Sequence, residues 1–136
     1  MIGIDLQHVS PINGATLLHQ CDFTSAKTQA KVLDILGNRK ADIVLSDMAP
    51  NATGIKSFDH DKIVQLCSSV LRFSNVVLKD GGNFLCKIWM GEKQTILEVV
   101  MKRMFSHIKY VKPNSSRTES TEIFLLGRNF RGTKQS

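Results

Sequence analysis

The fold is decided by one stretch, residues 41–54, which reads ADIVLSDMAPNATG. Its apolar, β-branched run at 43–45 predicts a short buried strand with a turn after it. Pro50 disfavours the α conformation of the residue before it, so the segment that follows the strand is not helical. Asp47 stands at the end of the strand, where ligands bind in open parallel sheets. By itself Asp47 is better explained as a turn residue, and the rest of the chain decides between the two interpretations.

The composition is that of a folded domain. The chain has 136 residues, of which 42% are hydrophobic and 22% charged, and we expect one domain over residues 1–136 with a flexible tail at 127–136. No apolar run is long enough to cross a membrane, and the amino terminus resembles neither a signal peptide nor a transit peptide. Three cysteines without CxxC spacing indicate neither a disulfide framework nor a zinc site, which favours a reducing compartment.

The excess positive charge is concentrated in the last quarter of the chain. Residues 1–100 contain ten basic and ten acidic residues, whereas residues 101–136 contain eight basic and two acidic ones, so the net charge of +6 lies in the latter. Such a region is either an ordinary solvated surface or a patch for a polyanion, of which nucleic-acid phosphate is the most plausible. Charge alone leaves the two interpretations even.

Three predicted strands are each followed by a carboxylate. The strands at 2–4, 15–19 and 43–45 lead to three aspartates, Asp5, Asp22 and Asp47. An acidic residue at such a position in a dinucleotide-type fold commonly binds ribose hydroxyls, although a loop aspartate explains Asp5 equally well. The recurrence of the pattern in three successive strands favours a binding edge.

Three helices are predicted from apolar residues at helical spacing. Thr24 is a candidate N-cap for a helix that runs to residue 36 and stops at Gly37. A second helix covers residues 63–71, with Asp59 or Asp61 as its cap, and a third covers 96–104. We expect the first helix to bury one face, formed by Ala26, Ala30, Leu33 and Leu36.

A lysine interrupts the apolar strand predicted at 83–89. The turn at 79–82 (KDGG) precedes this strand, and Lys87 lies near its carboxyl end between Cys86 and Ile88. A lysine in a strand that is otherwise typical of a core indicates a function. The alternative is a side chain whose stem packs on the sheet while its ammonium group reaches water.

A glutamate begins the last predicted strand. A strand at 108–111 leads through a polar loop at 112–120 into a final antiparallel strand at 121–126, and Glu122 stands at its start. The beginning of an antiparallel strand lies beside the carboxyl ends of its neighbours, so Glu122 can face Asp47 and Lys87 across one cleft. The alternative is an exposed hairpin glutamate paired with Arg117.

These residues lie in three motifs that together resemble a known family. SDMAPN at 46–51, GGNFLCK at 81–87 and KPNSSR at 112–117 with Glu122 resemble the FtsJ/RrmJ-type ribosomal RNA ribose 2′-O-methyltransferases. The resemblance covers nearly the whole chain, and three motifs in the same order are far more specific than any one of them.

The mitochondrial branch of that family, the large-subunit rRNA uridine methyltransferases, is the most similar. The resemblance to it rests on NATG at 51–54 and DHD at 59–61. It implies ribosomal RNA of the large subunit as partner and a mitochondrial location.

The resemblance implies a fold and a reaction. The fold would be α/β, a Rossmann-like methyltransferase sheet with helices on both faces, here without its first βα unit. S-adenosylmethionine would be the methyl donor, an RNA ribose 2′-hydroxyl the acceptor, and no metal would be required. Within the family's Lys-Asp-Lys-Glu tetrad, Lys87 would accept the proton, and Asp47 and Glu122 would orient the reactants.

The same resemblance implies two further sets of binding residues. The cofactor would be bound by Asp5, Asp22, Phe23 and Asp47. The RNA would be bound by Lys112, Arg117 and Arg128.

The chain departs from the family pattern before Asp5. The Gly-rich loop and the first lysine of the tetrad should precede that residue, and only four residues do. We therefore expect a fragment or short isoform whose sheet falls into two halves with unpaired facing edges. A non-catalytic RNA-binding or vestigial domain explains the same departure. A nicotinamide dehydrogenase is disfavoured because it requires a GxGxxG fingerprint that the sequence lacks.

Overall fold

The computed structural model describes residues 2–4, 16–18, 23–46, 55–89, 91, 93–112 and 122–132. Their contacts divide the chain into two compact units, Met1–Arg39 and Lys40–Ser136. The described strands form two separate sheets, one in each unit. This agrees with the two half-sheets expected from the sequence.

The first unit contains two short strands and a helix. β1 (Ile2–Ile4) and β2 (Thr16–Leu18) pair in parallel, and α1 spans Ala26–Leu36. Gly37 ends α1 with a φ of 60° and donates its N–H to the carbonyl of Leu33, as the sequence predicted for a glycine stop.

The predicted apolar face of α1 is wrong. Leu33 is 42% exposed, and Ala26 and Ala30 are also exposed. The buried residues of α1 are instead Thr28 and Val32. The buried pair is four residues apart and therefore lies on one side of the helix. Small or apolar residues occur on most sides of α1, so the sequence alone did not show which side is buried.

The second unit is built on a mixed four-stranded sheet. Its strand order is β3-β4-β6-β5, in which β3 pairs with β4 in parallel and β6 runs antiparallel to both of its neighbours. β4 and β6 are thus the central strands. The strands are β3 (Ala41–Ser46), β4 (Leu78–Trp89), β5 (Phe105–Val111) and β6 (Glu122–Phe130).

Two helices, α2 (Lys56–Val77) and α3 (Gln94–Met104), cover one face of this sheet. Phe84, Cys86 and Ile88 of β4 are fully buried on that face, beside Ile63 and Leu71 of α2. From α3, Leu97 and Met101 are fully buried and Met104 nearly so. Continuous burial of large apolar side chains on one face supplies most of the stability of such a unit.

The predicted caps of α2 are wrong, and only some of the apolar residues of α3 are buried. α2 begins at Lys56 after Ile55, so Asp59 and Asp61 lie within the helix. Asp59 is in the first turn, where a carboxylate is favoured by the positive end of the helix dipole. Ile96 and Val100 of α3 are 52% and 41% exposed, so the buried stripe of α3 is narrower than its apolar pattern suggested.

The strand predicted to be buried, β3, is only half covered. Ile43 and Leu45 are 48% and 65% exposed, whereas Ser46 is buried. β3 is the terminal strand in the described sheet, and α2 covers one of its faces. A short apolar run cannot distinguish a central strand from an edge strand, which is why the prediction failed here.

The amino end of β4 is irregular. Its pairing with β3 passes from Ala41↔Leu78 to Ile43↔Asn83, so residues 79–82 of β4 lie opposite a single residue of β3, Asp42. Gly81 has a φ of 85°, which only glycine adopts without strain. The predicted KDGG turn is therefore a bulge within a continuous strand.

The carboxyl end of the chain is more ordered than predicted. β6 continues to Phe130 and pairs with β5 up to Phe105↔Phe130, so the flexible tail expected at 127–136 does not include 127–130. Residues 133–136 lie outside the described residues. No helix in the described ranges has the length and apolar character that would let it span a membrane.

Candidate active site

Lys87 lies on the face of β4 opposite the two helices. The fully buried residues Cys86 and Ile88 flank it, whereas Lys87 itself is partly exposed, as Leu85 and Trp89 are. Because side chains alternate along a strand, these three share one face. Within the described residues the Lys87 ammonium group has no ion-pair partner, so it is not held in a structural salt bridge there.

The register of β4 and β6 places Glu122 beside Lys87. Lys87 pairs with Phe124 and Trp89 pairs with Glu122, so Glu122 is the diagonal neighbour of Lys87 on the same face. Diagonal neighbours in antiparallel strands are within reach of long side chains. The backbone thus brings together two of the three predicted catalytic residues. The side chain of Glu122 is outside what the structure describes.

The third predicted catalytic residue, Asp47, lies outside the described residues. It follows Ser46, the last residue of β3, and Ser46 pairs with Cys86, the residue before Lys87. β3 therefore ends beside Cys86, three residues before the end of β4, and Asp47 is the next residue along the chain.

The carboxyl end of β4 is held by α2 through main-chain carbonyls. The Cys67 thiol donates to the Lys87 carbonyl at 3.6 Å, and His60 Nδ1 lies 3.0 Å from the Trp89 carbonyl oxygen. Both carbonyls lie beyond the last β3–β4 pair, at Ser46↔Cys86. His60 was noted in the sequence only as part of the DHD motif, and its contact with β4 could not be inferred from spacing alone.

The two described cysteines are structural. Cys67 and Cys86 are free, and they are 2% and 0% exposed. A hydrogen bond between the two thiols, together with burial, raises the pKa of Cys86 far above its ordinary value. A buried thiol that stays protonated is not a nucleophile, so Lys87 is the chemically distinctive residue in this part of β4.

The predicted cofactor residues belong mostly to undescribed positions. Asp5 and Asp22 lie outside the described residues, and Phe23 is the one that the structure places. Its side chain is 8% exposed and its carbonyl accepts a hydrogen bond from Gln29 Nε2 at 3.1 Å. The Phe23 side chain is therefore buried and not open to solvent.

The two predicted RNA-binding residues that the structure describes lie at different ends of the sheet. Lys112 follows Val111, which pairs with Phe124 at the same end of the sheet as Lys87. Arg128 pairs with His107, six residues along β6 from Glu122, or about 20 Å at the usual rise of a strand. Arg117 lies outside the described residues. Both Lys112 and Arg128 are exposed, but only Lys112 is close to the candidate site.

A cavity of about 530 Å³ opens on the helical side of the sheet, away from Lys87. It lies between α2 and α3 and is lined by Asp61, Val64, Gln65, Ser68, Ser69, Arg72, Lys93 and Ile96. Because Lys87 is on the opposite face of β4, this cavity is not part of the candidate active site.

The sequence matches the family described as FtsJ-like methyltransferase over residues 1–130. The chain belongs to the FtsJ-like methyltransferase family. This membership confirms the resemblance that the three motifs indicated, because the match includes all of them.

Curated relatives of this FtsJ-like chain are ribosomal RNA methyltransferases. It is 42% identical over 132 residues to ribosomal RNA large subunit methyltransferase E of Cereibacter sphaeroides, covering 97% of this chain and 53% of the relative. It is 40% identical over 136 residues to the mitochondrial rRNA methyltransferase 2 of Drosophila melanogaster, covering 100% of this chain and 54% of the relative. The chain thus spans about half the length of these relatives.

A solved structure confirms the fold. The FtsJ-like chain superposes on a Plasmodium falciparum protein described as a ribosomal RNA methyltransferase with a TM-score of 0.85 and 29% identity. The superposition covers 97% of this chain and 72% of that one. The mixed α/β sheet is therefore that of a methyltransferase, as the sequence predicted.

Proposed function

We propose that this chain carries the methyl-transfer site of an S-adenosylmethionine-dependent RNA ribose 2′-O-methyltransferase. The observation that carries the proposal is the register of β4 and β6, which sets Lys87 and Glu122 side by side on one face. They lie near the carboxyl end of β4, just past the residue beside which the parallel β3 ends, at the edge where such sheets bind their ligands.

Lys87 is proposed as the proton acceptor. A ribose 2′-hydroxyl is a poor nucleophile and gains reactivity when its proton is removed as the oxygen attacks. An amine held within reach of the hydroxyl can accept that proton as the oxygen attacks the methyl group. Leu85, Trp89 and Phe124 are partly exposed residues next to Lys87 on this face.

Glu122 and Asp47 are proposed to orient the reactants. A carboxylate diagonal to Lys87 can bind its ammonium form or a sugar hydroxyl, and Asp47 can do the same from the end of β3. Correct orientation contributes as much as proton removal in a displacement whose methyl group is already activated.

The proposed cofactor residues of the first unit, Asp5 and Asp22, follow β1 and β2 in the sequence. These strands are parallel and in register from Ile2↔Thr16 to Ile4↔Leu18, so their carboxyl ends lie at the same edge of that sheet. Acidic residues at such an edge fit the ribose hydroxyls and the adenine amino group of S-adenosylmethionine. When bound, S-adenosylmethionine supplies a methyl group activated by the sulfonium charge.

The substrate is proposed to be large-subunit ribosomal RNA, with a uridine as the modified nucleotide and the mitochondrion as the location. The name of the Cereibacter relative supports large-subunit rRNA and that of the Drosophila relative supports the mitochondrion, whereas the uridine rests on the resemblance of the sequence motifs. The net charge of +6 in the last quarter of the chain also supports a nucleic-acid substrate. Lys112, Arg117 and Arg128 are the proposed phosphate contacts, of which Lys112 is placed nearest the site.

The test compares two lysines of one strand. Transfer of labelled methyl from S-adenosylmethionine to a large-subunit rRNA transcript is measured under single-turnover conditions for the wild-type chain, Lys87→Ala and Lys79→Ala. Lys79 is on β4 too, but at its other end, where it forms an exposed ion pair with Asp42. Loss of a positioned general base lowers the rate by about 10²–10⁴-fold, so Lys87→Ala should lose that factor and Lys79→Ala should not.

Two results would overturn the proposal. Near-normal single-turnover methylation by Lys87→Ala would remove Lys87 as the proton acceptor. RNA binding by a wild-type chain that transfers no methyl group would support the alternative function, RNA recognition without catalysis.

A further inference from the structure

His60 is buried between three parts of the second unit. It is on the second turn of α2, is 7% exposed, and contacts the end of β4 and the start of α3. Its Nδ1 lies 3.0 Å from the carbonyl oxygen of Trp89, and its Nε2 accepts the backbone N–H of Lys93 at 2.9 Å. Both ring nitrogens are therefore used.

These partners determine the tautomer of His60. The backbone N–H of Lys93 can only donate, so Nε2 must be unprotonated. The carbonyl of Trp89 can only accept, so Nδ1 must carry the proton. The ring is thus required in its neutral Nδ1–H form, since a proton on Nε2 would face the Lys93 N–H as a second donor.

Gly91 shows that the backbone is fitted to this ring. A Cβ at Gly91 would lie 2.5 Å from both Cγ and Nδ1 of His60, far inside contact distance. The Gly91 N–H donates to Gln94 Oε1 at 3.0 Å, which fixes the turn from the other side. The backbone at Gly91 therefore lies this close to the imidazole only because the residue has no side chain.

We propose that His60 is a positioning residue, which holds the segment after the Lys87 strand through two hydrogen bonds in its Nδ1–H tautomer. Through Trp89, two residues from Lys87, it fixes the direction in which β4 ends. Cys67, seven residues further along the same side of α2, holds the Lys87 carbonyl in the same way. The role rests on the proposed function of Lys87, whereas the tautomer and the two bonds do not.

The tautomer is tested by nitrogen-15 NMR of the chain. The chain has four histidines, and the signal of His60 is assigned by its loss in His60→Gln. The expected result is a protonated Nδ1 coupled to its hydrogen and an unprotonated Nε2 in the wild-type chain. A protonated Nε2 would overturn the proposal irrespective of any activity.

Three substitutions separate the two bonds from ring packing. Asn can replace the Nδ1 donor, Gln can replace the Nε2 acceptor, and Phe keeps the ring and removes both bonds. Hydrogen exchange of the Lys93 amide should accelerate about 5- to 10-fold in His60→Asn and His60→Phe and stay near wild type in His60→Gln. Equal acceleration in all three would mean that the site simply loosens, and the proposal would fail.

Asp61→Asn is the matched control. Asp61 follows His60 and forms an exposed ion pair of 3.0 Å with the Lys93 side chain. Exposed pairs contribute little, so the Lys93 amide should exchange as in the wild type. Acceleration in Asp61→Asn as large as in His60→Phe would assign the clamp to the ion pair and not to the imidazole.

Kinetics then test the link to Lys87. In His60→Phe the kcat for methyl transfer should fall about 10- to 100-fold while KM for RNA is unchanged, because misplacement of a reacting group lowers the rate without removing binding contacts. His60→Asn, which keeps the bond to Trp89, should restore most of kcat. An unchanged kcat in His60→Phe would refute the positioning role, and the Lys87→Ala result judges the proposed function separately.

Discussion

The two ends of β4 differ although they belong to one strand and each contains a lysine. At the carboxyl end, pairing with β6 is continuous from Phe84 to Trp89, and α2 holds the carbonyls of residues 87 and 89. At the amino end the pairing with β3 skips residues 79–82, and Lys79 forms an ion pair with Asp42 in solvent. Regular pairing and a buried backing helix, and not the lysine itself, therefore distinguish the end that carries the proposed catalytic residue.

The largest effect on stability is expected at the carboxyl end. Ile88 is fully buried beneath the site, and Ile88→Ala should lower the free energy of unfolding by about 2–5 kcal/mol because it leaves a cavity. Denaturant unfolding followed by fluorescence of Trp89, the one tryptophan in the sequence, reports on this unit. Asp80→Ala, at the exposed amino end, is the control and should stay within about 0.5 kcal/mol. Equal losses of unfolding free energy in both variants would show that the two ends of β4 do not differ in this respect.

A smaller loss is expected from the bulge at the amino end. Gly81 has a φ of 85°, and the nearest atom to an added Cβ is Asn129 Oδ1 at 3.8 Å, an ordinary contact. Gly81→Ala should therefore cost about 1–2 kcal/mol through backbone strain alone. The same unfolding experiment measures it, with Lys79→Ala as a neighbour that keeps the glycine. A neutral Gly81→Ala would show that the bulge adapts freely.

The two ends of the sheet should also differ in RNA binding. Lys112 lies at the Lys87 end of the sheet and Arg128 at the other end. Loss of one phosphate contact in Lys112→Ala should reduce the slope of log RNA affinity against log salt concentration by about 1. Arg128→Ala tests the wider surface predicted from composition. An equal reduction in the two variants would favour a basic surface that extends along the whole of β6.

The smallest effect is expected for the ion pair of Asp42. A hydrogen bond and the charge of Lys79 lower the pKa of Asp42 below its ordinary value of 3.8. A lowered carboxyl pKa stabilises the fold above the unfolded-state value and loses that contribution as the pH falls through the folded-state value. Because the pair is exposed, thermal melts of Asp42→Asn and wild type should nearly coincide at neutral pH and below pH 3. A clear difference in melting temperature at neutral pH would show that this ion pair stabilises the amino end of β4 more than its exposure suggests.

Most of the fold was predictable because its signals are local. Gly37 ended α1 as expected, and the strand predicted at 83–89 lies within β4. The exposure of Ile43 and Leu45 was not predictable, since it depends on which strands lie beside β3. The caps proposed for α2 failed because the helix begins at Lys56, and the residue at the N-cap position is Ile55, a type that does not cap helices.

The candidate site was predictable in part, for a different reason. Lys87 was identified by a conflict between its charge and its apolar strand, and Glu122 by its place at the start of an antiparallel strand. His60 carried no such conflict, because a histidine within a helix is ordinary. Its role depends on two main-chain groups 29 and 33 residues away, a separation that no local pattern records.

The half-covered strand β3 has a consequence for handling the protein. In the described sheet it has a hydrogen-bonded neighbour on one side, and it presents Ile43 and Leu45 to solvent. Flat apolar edges of this kind are templates for strand addition and aggregation. Asp42, a charge on the same strand, is a gatekeeper against that process. Solubility at high concentration is therefore expected to depend more on β3 than on any residue of the candidate site.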